Sequence, residues 1–281
     1  MRGVLYVVGT PIGNLGDLSE RARATLADVD LVAAEDTRRT GRLLHGLGIR
    51  VPMLSLFEGN ERERTREVVT HLLDGRSVAL VSDGGMPLVS DPGYRLVSAC
   101  AQERIEVQVV PGPSAVLAAL VMSGLPTDRF AFEGFPPRKA GERRARLADL
   151  ARDPRTLVFF ESPRRTVTFL RDLANAMGDR RVALCRELTK LHEQVLRGSI
   201  TEVLAQLGDD DHPLRGEVVV VVEGDREGPG VDMDEVLAQA RSAVAAGGRK
   251  RDVAHEVAAR HGVSANELYR ALLNEPRDAG R

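Results

Sequence analysis

The sequence predicts an α/β protein with two α/β domains, a cleft between them and a small C-terminal helical domain. The chain has 281 residues, of which 43% are hydrophobic and 28% charged, so it is long enough and apolar enough for more than one packed core. Short Val- and Leu-rich runs alternate with amphipathic stretches along the first part, as in a doubly wound sheet. The expected domains are residues 1–113, 114–224 and 232–276.

Buried parallel strands are predicted wherever a short apolar run lies between turn residues. In the first domain these runs are Leu5–Val8, Leu31–Ala34, Val78–Val81 and Val107–Val110. Helices are expected between them, because capping residues precede the amphipathic stretches. The capping signals are Asp17 with Glu20, Asn60 with Glu63, and Asp91 followed by Pro92.

The second domain has a different pattern, with more strands and fewer helices between them. A helix is expected over Thr166–Met177, and Ser199 with Glu202 caps another. The crowding of strand signals predicts a mixed sheet that includes antiparallel members. Its strand signals are Phe130 with Phe132, Leu157–Phe160, Val182–Cys185, Gln194–Arg197 and Val218–Val222.

A charged Gly-Pro linker at 225–230 leads into a region with helical periodicity throughout. Three amphipathic helices are expected, over Asp232–Ala246, Lys250–His261 and Ser264–Asn274. The join between the last two matches the first half of a helix-turn-helix signature, with Ser264 and Glu267 as a capping box. Such turns also occur in helical hairpins that never contact nucleic acid, so both interpretations stay open.

Several classes of protein are disfavoured by composition. Cys100 and Cys185 lie far apart in apolar segments, and the six histidines are scattered, so neither a disulfide framework nor a metal site is expected. The long uncharged stretch at 107–127 is broken by Pro111, Gly112 and Pro113, which excludes a membrane span. The expected location is the cytoplasm.

Net charge is −2, so any nucleic-acid contact would depend on local basic clusters. Arg138–Arg146 and Arg249–Arg251 are two such clusters. Because the chain has 36 Arg and only 3 Lys, a coding bias towards Arg explains these clusters about as well as RNA binding does.

The residues of greatest chemical interest follow the predicted strands, where open α/β sheets bind ligands. The first such loop, Gly9–Asn14, lacks the GK[ST] and GxGxxG patterns, which disfavours an ATP or nicotinamide site. The others are Glu35–Arg38, Ser82–Pro87 and Pro111–Ala115, the last ending at a helix N-terminus that suits a polar ligand group. Alternatively, Asp36 or Thr37 caps a helix and Arg38 forms a surface ion pair.

Taken in order, these loops and later segments resemble the signature segments of the ribosomal RNA small subunit methyltransferase I family, within the tetrapyrrole methylase superfamily. The resemblance covers roughly residues 3–224 and continues into the tail. It departs from the family at Met86, where a Thr is usual, and at Arg164, where a His is usual. The segments that carry it are Gly9–Leu15, Glu35–Arg38, Leu80–Gly93, Pro111–Ala115, Gly134–Pro137, Phe160–Arg165, Arg186–Lys190 and Gly216–Glu217.

The resemblance implies a homodimeric enzyme that uses S-adenosyl-L-methionine to methylate the ribose 2′-hydroxyl of a cytidine in the decoding region of 16S rRNA. It also implies a cofactor site between the two α/β domains, made largely of backbone groups. Carried over residue by residue, that site is formed by Pro11, Asp83, Gly84, Gly85, Met86, Ser114, Ala115, Phe160 and Gly216.

The reaction needs a group that takes the proton of a ribose hydroxyl, which is a poor nucleophile until that proton leaves. Glu35 and Asp36 are the candidates for this role, while Glu161 and Glu187 are not excluded by the sequence. Substrate contacts are expected from five basic residues: Arg38 and Lys190 on phosphate or ribose, Arg143 and Arg144 on RNA phosphates, and Arg164 in place of the family's His.

Two other functions remain open on the sequence. One is a small-molecule methylase of the same superfamily that acts on tetrapyrrole carbons. The other is a non-enzymatic regulator that senses a nucleotide in its α/β part and reads DNA through its helical tail.

Overall fold

The structure is a computed structural model that describes residues 2–207, 214–225, 233–261 and 263–273. The chain divides into two compact units. The larger comprises residues 1–151 and 155–224 and contains two β-sheets. The smaller comprises residues 152–154 and 225–281 and is helical where described.

The first sheet has the strand order β3-β2-β4-β1-β5, and its strands are parallel throughout. The four predicted strands are confirmed. β3 was not predicted, because it is a short, partly exposed edge strand without a continuous apolar run. The strands are β1 (Val4–Val8), β2 (Leu31–Ala34), β3 (Met53–Ser55), β4 (Val78–Val81) and β5 (Glu106–Val110).

Helices cover both faces of this sheet. Leu5, Leu80 and Leu96 belong to the core on one face, whereas Val32 and Leu26 belong to the core on the other, and all five are buried. Burial on both faces explains why the strands read as unbroken apolar runs. The helices are α1 (Glu20–Asp28), α2 (Thr37–Gly46), α3 (Glu61–Leu73) and α4 (Tyr94–Gln102).

Two of the predicted capping boxes are wrong. Ser19 caps α1 by accepting a hydrogen bond from the Ala22 N–H, while Asp17 lies one turn earlier in a short 3-10 segment. Asn60 does precede α3, but its side chain bonds the Phe57 N–H and the Ser55 carbonyl instead of the helix. The Asn60 side chain makes local turn contacts instead of capping the helix, which sequence spacing alone does not reveal.

The start of α4 also differs from the prediction. Gly93 precedes the helix, and Asp91 does not cap it. Instead, the buried Glu61 carboxylate of α3 accepts hydrogen bonds from the N–H groups of Gly93 and Arg95, at 2.9 and 3.0 Å. A cap contributed by another helix leaves no signal in the local sequence.

The second sheet has the order β6-β7-β10-β8-β9 and is mixed, as predicted. β6 runs parallel to β7, whereas β10 is antiparallel to β7 and β8, and β8 is antiparallel to β9. The strands are β6 (Phe130–Gly134), β7 (Thr156–Glu161), β8 (Arg181–Arg186), β9 (Gln194–Ser199) and β10 (Val218–Val222).

This sheet also has a core on each face. α5 covers one face through Val116, Ala119 and Leu120, while α6, α7 and α8 cover the other, where Phe159 and Phe169 pack edge to face. The capping box of Ser199 and Glu202 is confirmed in both directions at the start of α8. The helices are α5 (Ala115–Ser123), α6 (Ala140–Leu150), α7 (Thr166–Met177) and α8 (Ile200–Leu207).

Three helices form the described part of the smaller unit: α9 (Met233–Ala245), α10 (Lys250–His261) and α11 (Ala265–Leu273). Val236, Val257 and Leu268 meet in its core, as their amphipathic spacing predicts. The predicted termini at Asp232, Asn274 and 276, and the linker after Asp225, lie outside the described residues. Among the helices that the structure describes, none has the length and apolarity to span a membrane.

Candidate active site

A cavity of about 360 Å³ opens where the carboxyl ends of the first sheet's strands face the second sheet. It is large enough for a drug-sized or nucleoside-sized ligand. Eight of the nine predicted cofactor residues line it, and Pro11 lies in a neighbouring groove instead. The eight are Asp83, Gly84, Gly85, Met86, Ser114, Ala115, Phe160 and Gly216.

Glycine backbone brings the loops of this cavity close together. Gly85 has a φ of +87°, a conformation that strains other residues, and it exchanges two backbone hydrogen bonds with Thr10, at 2.9 and 3.0 Å. A Cβ on Gly112 would lie 2.9 Å from the backbone of Gly9, so no side chain fits there. These contacts clamp the loops after β1, β4 and β5 into one ligand-facing surface.

The N-terminus of α5 forms the floor of the cavity. Ser114 caps the helix by accepting a hydrogen bond from the Leu117 N–H. The first turn therefore presents the positive end of the helix dipole and backbone N–H groups to the cavity.

Three carboxylates form an acidic wall on the first-sheet side of the cavity: Glu35, Asp83 and Asp91. The Asp83 carboxylate accepts hydrogen bonds from the Asp36 N–H and the Arg39 guanidinium, at 3.1 and 3.2 Å. The Asp83 N–H donates to the Glu35 carboxylate at 3.3 Å. The network holds the ends of β2 and β4 together and orients Glu35.

Electrostatics distinguish the members of this wall. Burial raises the pKa of the half-buried Glu35 carboxyl, and the negative charge of Asp91 raises it further. The pKa of Asp91 is raised as well, mainly by burial. A carboxylate with an elevated pKa is a stronger base, so Glu35 has the properties of a group that accepts a proton.

Asp36 lies in a different environment. It caps α2 by accepting a hydrogen bond from the Arg38 N–H at 2.8 Å, and it pairs with the Arg38 guanidinium at 2.8 Å. The Arg38 side chain is 86% exposed. These hydrogen bonds hold the pKa of Asp36 far below its usual range, and neither residue lines the cavity. This geometry matches the capping alternative that the sequence left open.

The loop around Lys190 supports the cavity from the second sheet. Its ammonium donates to the carboxylates of Glu187 and Glu217, at 2.8 and 3.1 Å. Burial lowers the pKa of Lys190, but these hydrogen bonds outweigh that effect and raise it overall, so the side chain stays charged. The Glu187 side chain packs on Gly216, where a Cβ would lie 2.3 Å from its carboxyl carbon. Glu187 is therefore bound to this loop rather than directed at a ligand.

Glu161 is the last residue of β7, and Arg164 follows in the loop after it. The Glu161 side chain is fully buried, and it accepts hydrogen bonds from Arg165 and from the Ser162 N–H, at 2.5 and 2.6 Å. Glu161 lines the cavity together with its neighbour Phe160, and these two hydrogen bonds hold its carboxylate in place. Arg164 is exposed and lies outside the cavity lining.

The sequence prediction for Arg143 assumed an exposed side chain, and that assumption is wrong. Arg143 turns inward from α6 with 6% of its side chain exposed, and it binds the Asp172 carboxylate at 2.6 Å. Its guanidinium also donates to the backbone carbonyls of Pro137 and Arg138. The next residue, Arg144, is exposed and remains available to a partner.

Sequence reasoning missed several cavity residues, and Arg39, Asp91 and Phe135 are the ones with evident chemical interest. Arg39 directly follows the Arg38 that was singled out, Asp91 was interpreted as a helix cap, and Phe135 lies in a segment used only for the resemblance. The ring of Phe135 lies 5.5 Å from that of Phe160 and is 59% exposed. A pair of adjacent arginines, and an exposed aromatic residue after a strand, were the available signals.

A parallel sheet and a mixed sheet, with a glycine-lined cavity at the strand ends, define an α/β protein of the class that binds ligands at the carboxyl ends of its strands. The sequence pattern described as tetrapyrrole (corrin/porphyrin) methylases matches residues 4–204. The chain belongs to the tetrapyrrole methylase family.

Relatives with a common name match most of the chain. The ribosomal RNA small subunit methyltransferase I of Mycobacterium tuberculosis strain H37Rv is 47% identical, covering 99% of this chain and 97% of that protein. The protein of the same name from Escherichia coli O157:H7 is 41% identical, covering 98% of this chain and 96% of that protein. The protein of the same name from Thermotoga maritima is 49% identical over 222 residues, which are 79% of this chain and 99% of that protein.

Solved structures share the fold at lower identity. A uroporphyrin-III C-methyltransferase from Thermus thermophilus, complexed with S-adenosyl homocysteine, has a TM-score of 0.55 and 23% identity, covering 79% of this chain and 97% of that one. The methyltransferase CobJ has a TM-score of 0.58 and 21% identity, with 79% and 94% covered.

Proposed function

We propose that this protein transfers a methyl group from S-adenosyl-L-methionine to the ribose 2′-hydroxyl of a cytidine in the decoding region of 16S rRNA, with Glu35 as the general base. The family supports methyl transfer, and the name shared by the relatives supports the RNA of the small ribosomal subunit as substrate. The observation that carries the catalytic assignment is the half-buried Glu35 carboxylate in the cavity wall, whose pKa is raised.

The residues present fit this cofactor. Its sulfonium and ammonium groups are cationic, and the wall of Glu35, Asp83 and Asp91 is anionic. The glycine loops leave backbone groups accessible for its polar atoms, and Phe160 offers an aromatic surface for a purine.

Bound there, the cofactor supplies a methyl group already activated by a positively charged sulfur. The protein has to exclude water, align the attacking oxygen and remove its proton. Glu35 removes the proton because it is close to the cavity and more basic than an ordinary carboxylate. Arg39 neutralises Asp83, which reduces the negative charge that the wall would otherwise present to RNA.

RNA binding outside the cavity depends on exposed basic side chains. Arg144 on α6 is one such side chain, and Arg249 and Arg251 at the start of α10 are others. Arg38 and Lys190 are already paired with carboxylates, so contact with phosphate would require them to exchange or share those partners. Residues 249–251 add affinity through contacts with RNA phosphates under this proposal.

The protein also acts as a homodimer in the cytoplasm under this proposal. Leu117 and Val121 are one helical turn apart on the outer face of α5 and are 52% and 76% exposed. An exposed apolar pair of this kind is suited to burial against a second copy. Sedimentation of the Leu117→Arg/Val121→Arg variant tests this, and an unchanged sedimentation coefficient would remove this face from the interface.

The substrate is tested with labelled S-adenosylmethionine and small ribosomal subunits that lack native methylation. Nucleoside digestion and mass spectrometry should reveal 2′-O-methylcytidine. If cofactor binds tightly but RNA gains no label, the RNA assignment is wrong, and tetrapyrrole acceptors are tested next.

The base is tested with a pair of charge-removing variants. Glu35→Gln should lower kcat by about 10²- to 10⁴-fold at saturating cofactor, the usual contribution of a general base. Asp36→Asn is the matched comparison, because asparagine caps helices about as well as aspartate does. A large loss of kcat in Asp36→Asn with a small one in Glu35→Gln would reverse the assignment.

A further inference from the structure

A second groove, with a volume of about 370 Å³, lies beside the cofactor cavity. Its walls are the loop after β1 and the exposed side of α2. Arg39 and Asp83 line both the groove and the cavity, so the two spaces adjoin each other. A chain passing through the groove would reach the acidic wall where the methyl group is transferred.

The two spaces differ in charge. Among the described residues lining the cavity, Arg39 is the only positively charged one, against the carboxylates of the acidic wall. The groove adds Arg42, and α2 has Arg38, Arg39 and Arg42 but no acidic residue. The acidic wall repels RNA phosphates and α2 attracts them, so a ribose in the cavity is favoured with its neighbouring phosphate on the groove side.

Arg42 differs from the other two arginines of α2, because no contact in the described part of the chain accounts for its position. Arg38 is paired with Asp36, and Arg39 is paired with Asp83. Arg42 is exposed and makes no hydrogen bond or ion pair with any residue in the described part of the chain. It lies three residues after Arg39 on α2, so both guanidinium groups are on the same side of the helix.

The groove also has apolar surface for a sugar or base. Leu15 is 64% exposed in the turn after β1, and Pro11 and Leu43 line the groove near it. A mixed surface of this kind, cationic along one wall and apolar along the other, suits a nucleotide.

We propose that this groove binds the nucleotide adjacent to the methylated one, with Arg42 on the connecting phosphate. The inference rests on the proposed function, since it extends the same RNA substrate out of the cavity. It assigns Pro11 to the RNA rather than to the cofactor, which accounts for its position in the groove.

Arg42→Ala is the test variant, and Arg66→Ala is its matched control. Arg66 is also exposed and lies on α3, the next helix along the chain, outside both spaces. Filter binding uses a single-stranded RNA decamer with a central cytidine, at several salt concentrations. Loss of one phosphate contact should reduce the slope of log binding constant against log salt concentration by about 0.7. The affinity deficit of Arg42→Ala relative to wild type should therefore shrink about 2.6-fold between 50 and 200 mM salt.

A second RNA carries an uncharged methylphosphonate at one linkage beside the central cytidine. The modification is tested at each of the two flanking linkages. At one of them, wild type and Arg42→Ala should bind the modified RNA equally well, because the contact between Arg42 and the phosphate is already lost. In methylation assays on small ribosomal subunits, Arg42→Ala should raise KM with kcat and cofactor affinity unchanged.

The outcomes separate this inference from the proposed function. If wild-type protein methylates RNA and Arg42→Ala behaves like Arg66→Ala in KM and salt slope, the subsite is refuted while the function stands. If wild-type protein transfers no methyl group to RNA, the proposed function fails, and an Arg42-dependent salt slope would still support an RNA-binding groove. A slope that is the same in all three proteins would then refute the groove as well.

Discussion

Removing the Arg143 side chain should destabilise the α/β unit rather than only weaken RNA binding. The Asp172 carboxylate is 11% exposed; it accepts a hydrogen bond from Nε of Arg143 at 2.8 Å and forms an ion pair with Nη2 at 2.6 Å. In Arg143→Ala that charge would remain buried without its partner, which costs about 3–5 kcal/mol. For a unit of this size each kcal/mol lowers Tm by about 2–4 °C, so a fall of about 6–20 °C is expected.

Thermal unfolding followed by circular dichroism measures this effect. Arg144→Ala is the neighbouring control and should stay within about 0.5 kcal/mol of wild type, because its side chain is exposed. The double variant Arg143→Met/Asp172→Leu should recover much of the loss, since apolar side chains of similar volume replace buried ion pairs well. The reasoning is refuted if Arg143→Ala keeps the wild-type Tm and loses RNA affinity.

Three further results are expected. The fall of kcat/KM on the acidic side of the pH profile should occur above the ordinary pKa of a glutamate, because ionised Glu35 is required and its pKa is raised. Asp91→Asn removes a like charge and should move this fall to lower pH. If the profile does not move, another group is responsible for it. Gly85→Ala and Gly124→Ala should each cost about 1–2 kcal/mol in denaturant unfolding, since both glycines have positive φ, but only Gly85→Ala should weaken cofactor binding by calorimetry. Burial raises the pKa of both cysteine thiols to about 11, so mass spectrometry should find alkylation at neutral pH only after denaturation; rapid modification of the native protein would contradict this.

The cavity itself could be anticipated from the sequence to a large extent. Residues that directly follow a strand keep their place at its end, because parallel strands bring their carboxyl ends to one edge of the sheet. For this reason the glycine loops and Ser114 line the cavity as expected. Pro11 follows β1 in the same way, but its loop turns towards α2 and places it in the groove.

The roles of individual charged residues could not be anticipated. Glu35 and Asp36 are adjacent and chemically similar, yet one is half-buried beside Asp91 and the other is held by Arg38 at a helix N-terminus. Likewise Arg143 and Arg144 differ only in which side of α6 they occupy. Desolvation and pairing depend on neighbours that are distant along the chain, such as Asp91 and Asp172.

Local sequence was sufficient for the strands of both sheets other than β3 and for the mixed character of the second, since apolar runs and turn residues act over a few positions. Distant contacts decided the cap of α4 by Glu61, the acidic wall and the groove beside α2, because each joins segments that meet only after folding. The chemistry of the site follows from those contacts: Coulomb and desolvation effects depend on distance in space, and distance along the chain does not determine them.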